Sequence, residues 1–126
     1  MTESPALVIL VVESDRLLRD LIGMTLRRGG YSPLLCSQPS SARASLDQHR
    51  PDIVIVDTFL PEENGLDFIE NLRAERRLED QPVILISSLA FSEVVVRAKK
   101  IGAAAFLAKP IDSDLLLEQI DQMISR

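Results

Sequence analysis

The sequence predicts an α/β domain built on a parallel, doubly wound sheet with helices on both faces. Two observations point there. Runs of branched apolar residues such as Ile53-Val54-Ile55-Val56 and Val83-Ile84-Leu85-Ile86 have the uniform apolar pattern of strands buried on both sides. Between the runs lie segments whose apolar residues recur at helical spacing, and strands separated by helical crossovers pair in parallel. The alternation occurs five times in 126 residues with no linker, repeat or low-complexity stretch, so residues 1–126 read as one domain.

The elements follow in order along the chain. Leu7 to Val12 is a buried strand. Asp15 to Arg28 carries Leu17, Leu18, Leu21, Ile22 and Thr25 on a helical period, with Ser14 and Asp15 as capping residues and Gly29-Gly30 as the stop. Tyr31 to Cys36 is a weaker strand, which Pro33 assigns to an edge or to its own start. Pro39 suits a first helical turn, and that helix is expected to run to His49. Asp52 to Asp57 is the second strongly apolar strand. Asn64-Gly65 opens a helix marked by Leu66, Ile69, Leu72 and Arg73. Pro82 to Ser87 is a further buried strand. Phe91 to Ile101 is a helix ended by Gly102. Ala104 to Ala108 is a short strand of small residues. Asp112 or Ser113 caps a last helix with Leu116, Ile120, Met123 and Ile124 on one face. Helical geometry cannot bury Val94, Val95 and Val96 together, so at least one of them is expected at the surface, where it could serve a partner or self-association.

Composition narrows the function. A net charge of −5 argues against direct nucleic-acid binding, which needs a basic patch to neutralise phosphates. No apolar run approaches the ~18 residues of a membrane span, and the N-terminus lacks the basic residues of a signal peptide. The lone Cys36 excludes an internal disulfide and suits a packed thiol in a reducing, cytoplasmic setting. The lone His49 reads as a solvated helix end. The G-x-G-x-x-G, G-x-x-x-x-G-K-[ST] and G-x-S-x-G patterns are absent, so the phosphate cradle of nucleotide-binding α/β proteins and the hydrolase elbow are both missing.

The carboxyl ends of the strands hold the chemistry. Ligands of open parallel sheets bind along that edge. It collects Glu13, Ser14 and Asp15 after the first strand, Asp57 after the third, Ser87 and Ser88 after the fourth, and Lys109 and Pro110 after the fifth. Clustered carboxylates can hold a hard divalent cation such as Mg²⁺. A neighbouring lysine and hydroxyl can neutralise and orient a phosphoryl group.

On these residues the chain resembles a response-regulator receiver domain from Leu7 to Ile124. The resemblance lies in Asp57 within Ile-Val-Ile-Val-Asp-x-x-Leu-Pro-x-x-x-Gly, in the hydroxyl ending Pro82 to Ser87, and in Lys109-Pro110. It implies a flavodoxin-like fold with strand order 2-1-3-4-5. It implies Asp57 as acceptor of a phosphoryl group from a histidine kinase or phosphotransfer protein, with Ser87 following that group and Lys109 as its charge partner. It implies Mg²⁺ held by Glu13, Asp57 and the backbone carbonyl of Phe59. Phe106 matches the family's switch aromatic, and the output surface is expected on the fourth helix, fifth strand and fifth helix, facing an output domain or a second copy. The activity implied is at most self-phosphorylation and dephosphorylation at Asp57. One position departs. The family usually places two acids after the first strand, and here the pair is Glu13-Ser14, so a weakened metal site is expected unless Asp15 turns inward. A phosphorylation-independent docking or dimerisation module of the same fold is the second reading.

Overall fold

The structure, a computed structural model, describes residues 5–89 and 92–125. Five strands and five helices alternate: β1 (Val8–Val12), α1 (Arg16–Arg28), β2 (Ser32–Cys36), α2 (Pro39–Leu46), β3 (Ile53–Asp57), α3 (Gly65–Ala74), β4 (Val83–Ser87), α4 (Ser92–Lys100), β5 (Ala105–Ala108) and α5 (Ser113–Ile124). All pairings are parallel, in the order β2-β1-β3-β4-β5. This is the expected flavodoxin-like order, and the weak Pro33 strand is an edge strand, where a missing N–H donor is tolerated.

The two-residue alternation of strand side chains divides the core into two layers. Leu10, Val12, Val54, Val56, Val83 and Leu85 face α2, α3 and α4, where they meet Ala42, Phe68, Ile69, Leu72 and Ala98. Ile9, Val11, Ile53, Ile55, Ile84 and Ile86 face α1 and α5, against Ile22, Leu26, Leu116 and Ile120. Both faces of the central strands are therefore dry, which explains their unbroken apolar runs.

Caps set several helix ends. Asp15 accepts from the Leu17 amide at the start of α1, Asn64 from Asp67 at α3, and Asp112 from Asp114 and Leu115 at α5. Helix α2 stops at Leu46, short of the expected His49. The amides of Asp47 and Gln48 turn to the carbonyls of Ala44 and Ser45 in tightened i→i−3 bonds, the His49 amide also returns to the Ser45 carbonyl, and the His49 side chain is exposed beyond the helix. The expected start of the fourth helix at Phe91 falls outside the described residues, and α4 is described from Ser92. Of the three consecutive valines in α4, Val94 packs on the core and Val96 is 50% exposed. Cys36 is buried, and burial pushes its thiol pKa up, as a packed rather than reactive cysteine requires.

One glycine fixes how the third unit closes. Gly65 begins α3 directly beneath the end of β3, and its amide donates to the Thr58 carbonyl at 2.9 Å. A Cβ at this position would lie 2.1 Å from the backbone oxygen of Asp57. Backbone cannot yield as a side-chain tip can, so any side chain here must push α3 away from Asp57. Gly65→Ala is expected to lower stability by about 1–3 kcal/mol, the usual range for overpacking. Thermal or urea unfolding reads this directly, and an unchanged midpoint would mean that the loop accommodates the methyl group freely.

Candidate functional site

The sheet's carboxyl edge brings three charged side chains together. Glu13 follows β1 and is fully buried, and Asp57 ends β3 at 2% exposure. Lys109 follows β5, where its backbone amide donates to the Ser87 carbonyl at 2.8 Å. The Lys109 ammonium lies between the two acids, with Nζ 2.5 Å from Asp57 Oδ2 and 2.9 Å from Glu13 Oε1. The contact to Asp57 is a hydrogen bond. The one to Glu13 is a charge contact without hydrogen-bond alignment, so Glu13 Oε1 has no hydrogen-bond partner. The Lys109–Pro110 peptide is cis.

The remaining oxygens of the two acids are held by backbone. Asp57 Oδ1 accepts from the Phe59 amide at 2.9 Å, and Glu13 Oε2 from the Asp15 amide at 2.9 Å. Arg19 braces the same loop from α1, its Nη1 donating to the Glu13 and Ser14 carbonyls at 2.9 and 3.3 Å. Each carboxylate is thus oriented before any ligand arrives.

Burial sets the electrostatics. It pushes the Glu13 pKa above its ordinary 4.5, with the Asp15 amide and Lys109 opposing the rise. For Lys109, burial would lower the pKa, but the contacts of its ammonium with the Asp57 and Glu13 carboxylates outweigh it and the net direction is upward from 10.5. The signs follow from linkage. The contribution of Glu13 to stability is full below 4.5 and lost as pH rises through the folded value, so its neutral-pH carboxylate is a burden that Lys109 offsets. The contribution of Lys109 is full below 10.5 and lost only as pH rises through its own folded value.

The other expected residues take distinct places. Ser14 and Asp15 are exposed. Asp15 spends its carboxylate on the α1 cap and does not turn inward to replace the acid absent at position 14. Among the described residues no three acids, histidines or cysteines converge as a metal cluster. Ser87 is buried at the end of β4, but its hydroxyl engages Thr58 and its own loop rather than Asp57 or Lys109. Phe106, on β5 opposite Leu85, is half-buried and packs on the α3-facing core. Phe59 is 70% exposed and Leu89 36% exposed, standing on the two loops that flank Asp57.

Two residues escaped sequence reasoning. Arg19 carries no motif. Thr58 has a signal only once the register is known: Asp57 pairs with Ile86, so the residues that follow them, Thr58 just past β3 and Ser87 at the end of β4, are set side by side.

The fold and this edge define a class, a flavodoxin-like α/β domain with an acid–lysine cluster at the carboxyl edge of its sheet. The chain belongs to the response regulator receiver domain family, whose profile matches residues 9–121. Its sequence is 30% identical over 118 residues to the phosphate regulon transcriptional regulatory protein PhoB of Escherichia coli, an alignment covering 94% of this chain and 52% of that protein. The chain therefore spans about half the length of that relative. A chemotaxis protein CheY homolog of Campylobacter jejuni is 29% identical, with 92% of this chain and 91% of the relative covered. Among solved structures, a response regulator receiver protein from Pseudomonas putida superposes with a TM-score of 0.87 at 26% identity, covering 95% and 99% of the two chains. The signal receiver domain of a signal transduction histidine kinase from Syntrophus aciditrophicus gives 0.85 at 29% identity, covering 95% and 91%. The protein is a receiver domain of two-component signalling. Receiver domains are signalling modules rather than conventional enzymes, and they generally bind Mg²⁺ at an acidic site. No helix among the described residues is long and apolar enough to cross a membrane.

Lys109→Met removes the cation from between two buried acids. Loss of one partner of a buried pair costs about 3–5 kcal/mol, and in Mg²⁺-free buffer at pH 7 the variant should show a deficit of that order in urea unfolding. The deficit should shrink toward pH 5, because protonation of Glu13 relieves the uncompensated charge. Equal deficits at both pH values would mean that Lys109 acts through packing alone.

Proposed function

We propose that Asp57 is the phosphoacceptor of this receiver domain, taking its phosphoryl group from a histidine kinase or phosphotransfer protein. The observation that carries the reading is the convergence of Asp57, Glu13 and Lys109 at the sheet's carboxyl edge. Two carboxylates held ready by backbone amides suit a divalent cation that prefers oxygen ligands and retains several waters. Glu13, Asp57 and the Phe59 carbonyl are the groups that would hold Mg²⁺, and the underbonded Glu13 Oε1 fits a ligand. The metal would supply charge neutralisation for the incoming phosphoryl oxygens. The affinity would be reduced, because position 14 offers an exposed serine where the family usually has a second acid.

The chain's own residues account for the remainder. The Asp57 carboxylate attacks phosphorus as nucleophile and becomes an acyl phosphate. Lys109, already beside Asp57, remains as counter-charge. The phosphoryl group adds about −2 charge and new acceptor oxygens, and the Ser87 hydroxyl moves toward them. Phe106, half-buried on β5, would turn inward as the loop after β4 shifts. Phosphorylation thereby biases a two-state equilibrium that is read out on α4, β5 and α5 by an output domain, a partner or a second copy. Phe59 and Leu89, flanking Asp57, would hinder an in-line water and slow hydrolysis of the phosphoryl group. The buried thiol of Cys36 and this signalling role fit the cytoplasm, residues 1–126 are read as one domain, and its net charge of −5 argues against direct nucleic-acid contact by this domain.

Two measurements test this reading. Incubation with a small phosphodonor and Mg²⁺ should add one phosphate to the intact mass, and Asp57→Asn should abolish the gain. No gain in the wild type would favour phosphorylation-independent docking, the reading on whose side Ser14 stands. Ser14→Asp should tighten Mg²⁺ binding about tenfold or more, since the ion draws most of its affinity from charged oxygens. Unchanged binding would remove position 14 as the cause of a weak site.

A further inference from the structure

The chain holds a buried hydroxyl pair that the roles of Asp57, Glu13 and Lys109 do not use. Thr58 follows Asp57 and is 7% exposed. Its backbone is pinned on both sides: the amide donates to the Ile86 carbonyl at 2.9 Å, and the carbonyl accepts from Gly65 at 2.9 Å. Its Oγ1 donates to Ser87 Oγ at 2.6 Å. Ser87 Oγ in turn donates to the Leu89 carbonyl and accepts from the Leu89 amide, both at 3.0 Å.

A serine hydroxyl has one proton and two acceptor lone pairs. All three are spent here, the proton on Leu89 and the lone pairs on the Leu89 amide and Thr58. A phosphoryl group on Asp57 offers only acceptors, so Ser87 can reach it only by withdrawing its proton from Leu89 and leaving Thr58. Because the Thr58 backbone is fixed to β4 and α3, its hydroxyl can follow Ser87 only as far as rotation of its own side chain allows. Departure of Ser87 strands a buried hydroxyl, which carries a desolvation penalty.

We infer that Thr58 is a positioning residue that holds Ser87 in its resting orientation, so that the Thr58 hydroxyl sets how readily the site closes on a phosphoryl group. The inference rests on the phosphoacceptor reading of Asp57 for its consequence, while the resting contact stands without it. Thr58→Val keeps shape and removes the hydroxyl. It deletes one bond from the resting state and leaves nothing stranded in the closed one.

The test compares wild type, Thr58→Val, Thr58→Ala and Thr58→Ser by two readouts. In the unliganded protein, amide hydrogen exchange at Leu89 should quicken about two- to tenfold in the Val and Ala variants, the range of one net hydrogen bond. Affinity for beryllofluoride at saturating Mg²⁺ should rise by a similar factor in the same two. Thr58→Ser should match the wild type in both. Wild-type behaviour of Thr58→Val and Thr58→Ala, weaker beryllofluoride binding in them, or a Ser variant that departs as far as they do would each overturn the inference. If the wild type itself takes up no beryllofluoride, the phosphoacceptor reading fails, and Leu89 exchange alone then decides whether Thr58 holds Ser87.

Discussion

Everything at the functional edge of this domain depends on one ammonium group placed between two buried carboxylates. Glu13 and Asp57 would repel each other at the end of a dry sheet, and burial of either as an anion is costly. Lys109 makes the arrangement tolerable. It arrives on the strand farthest from β2, so the sheet must be complete before the charge is balanced. Backbone amides from Phe59 and Asp15 take further oxygens, which turns an electrostatic liability into a set of aimed ligands. Under the phosphoacceptor reading, Lys109 is the counter-charge already in place for an incoming phosphoryl group.

The same edge shows how tightly chemistry and packing are joined. Gly65 lets α3 start against the Asp57 backbone. Thr58 is fastened to β4 and to α3 within the same turn. The end of β3 is thus anchored on both sides of the residue that contacts Ser87.

Much of this was legible in the residues. Runs such as Ile53 to Val56 declare double-sided burial without reference to any neighbour, and the acids, hydroxyls and lysine at their ends follow from the rule that parallel sheets work at their carboxyl edge. Strand order needed the family resemblance, since no local pattern says that β3 lies between β1 and β4. The resting partner of Ser87 was hidden for a related reason, because only the register of β3 on β4 sets Thr58 beside it. Asp15 illustrates a different limit. A carboxylate after β1 can cap a helix or face a metal, and both uses share one sequence signature. The capping bond to Leu17 decides between them.

The proposal assigns the phosphoryl group to Asp57 and to no other acid on this edge. Borohydride reduces an aspartyl phosphate to homoserine, so reduction of phosphodonor-treated protein followed by peptide sequencing reports the acceptor directly. The account predicts homoserine at position 57 alone. Homoserine at another position, with Asp57 intact, would contradict it.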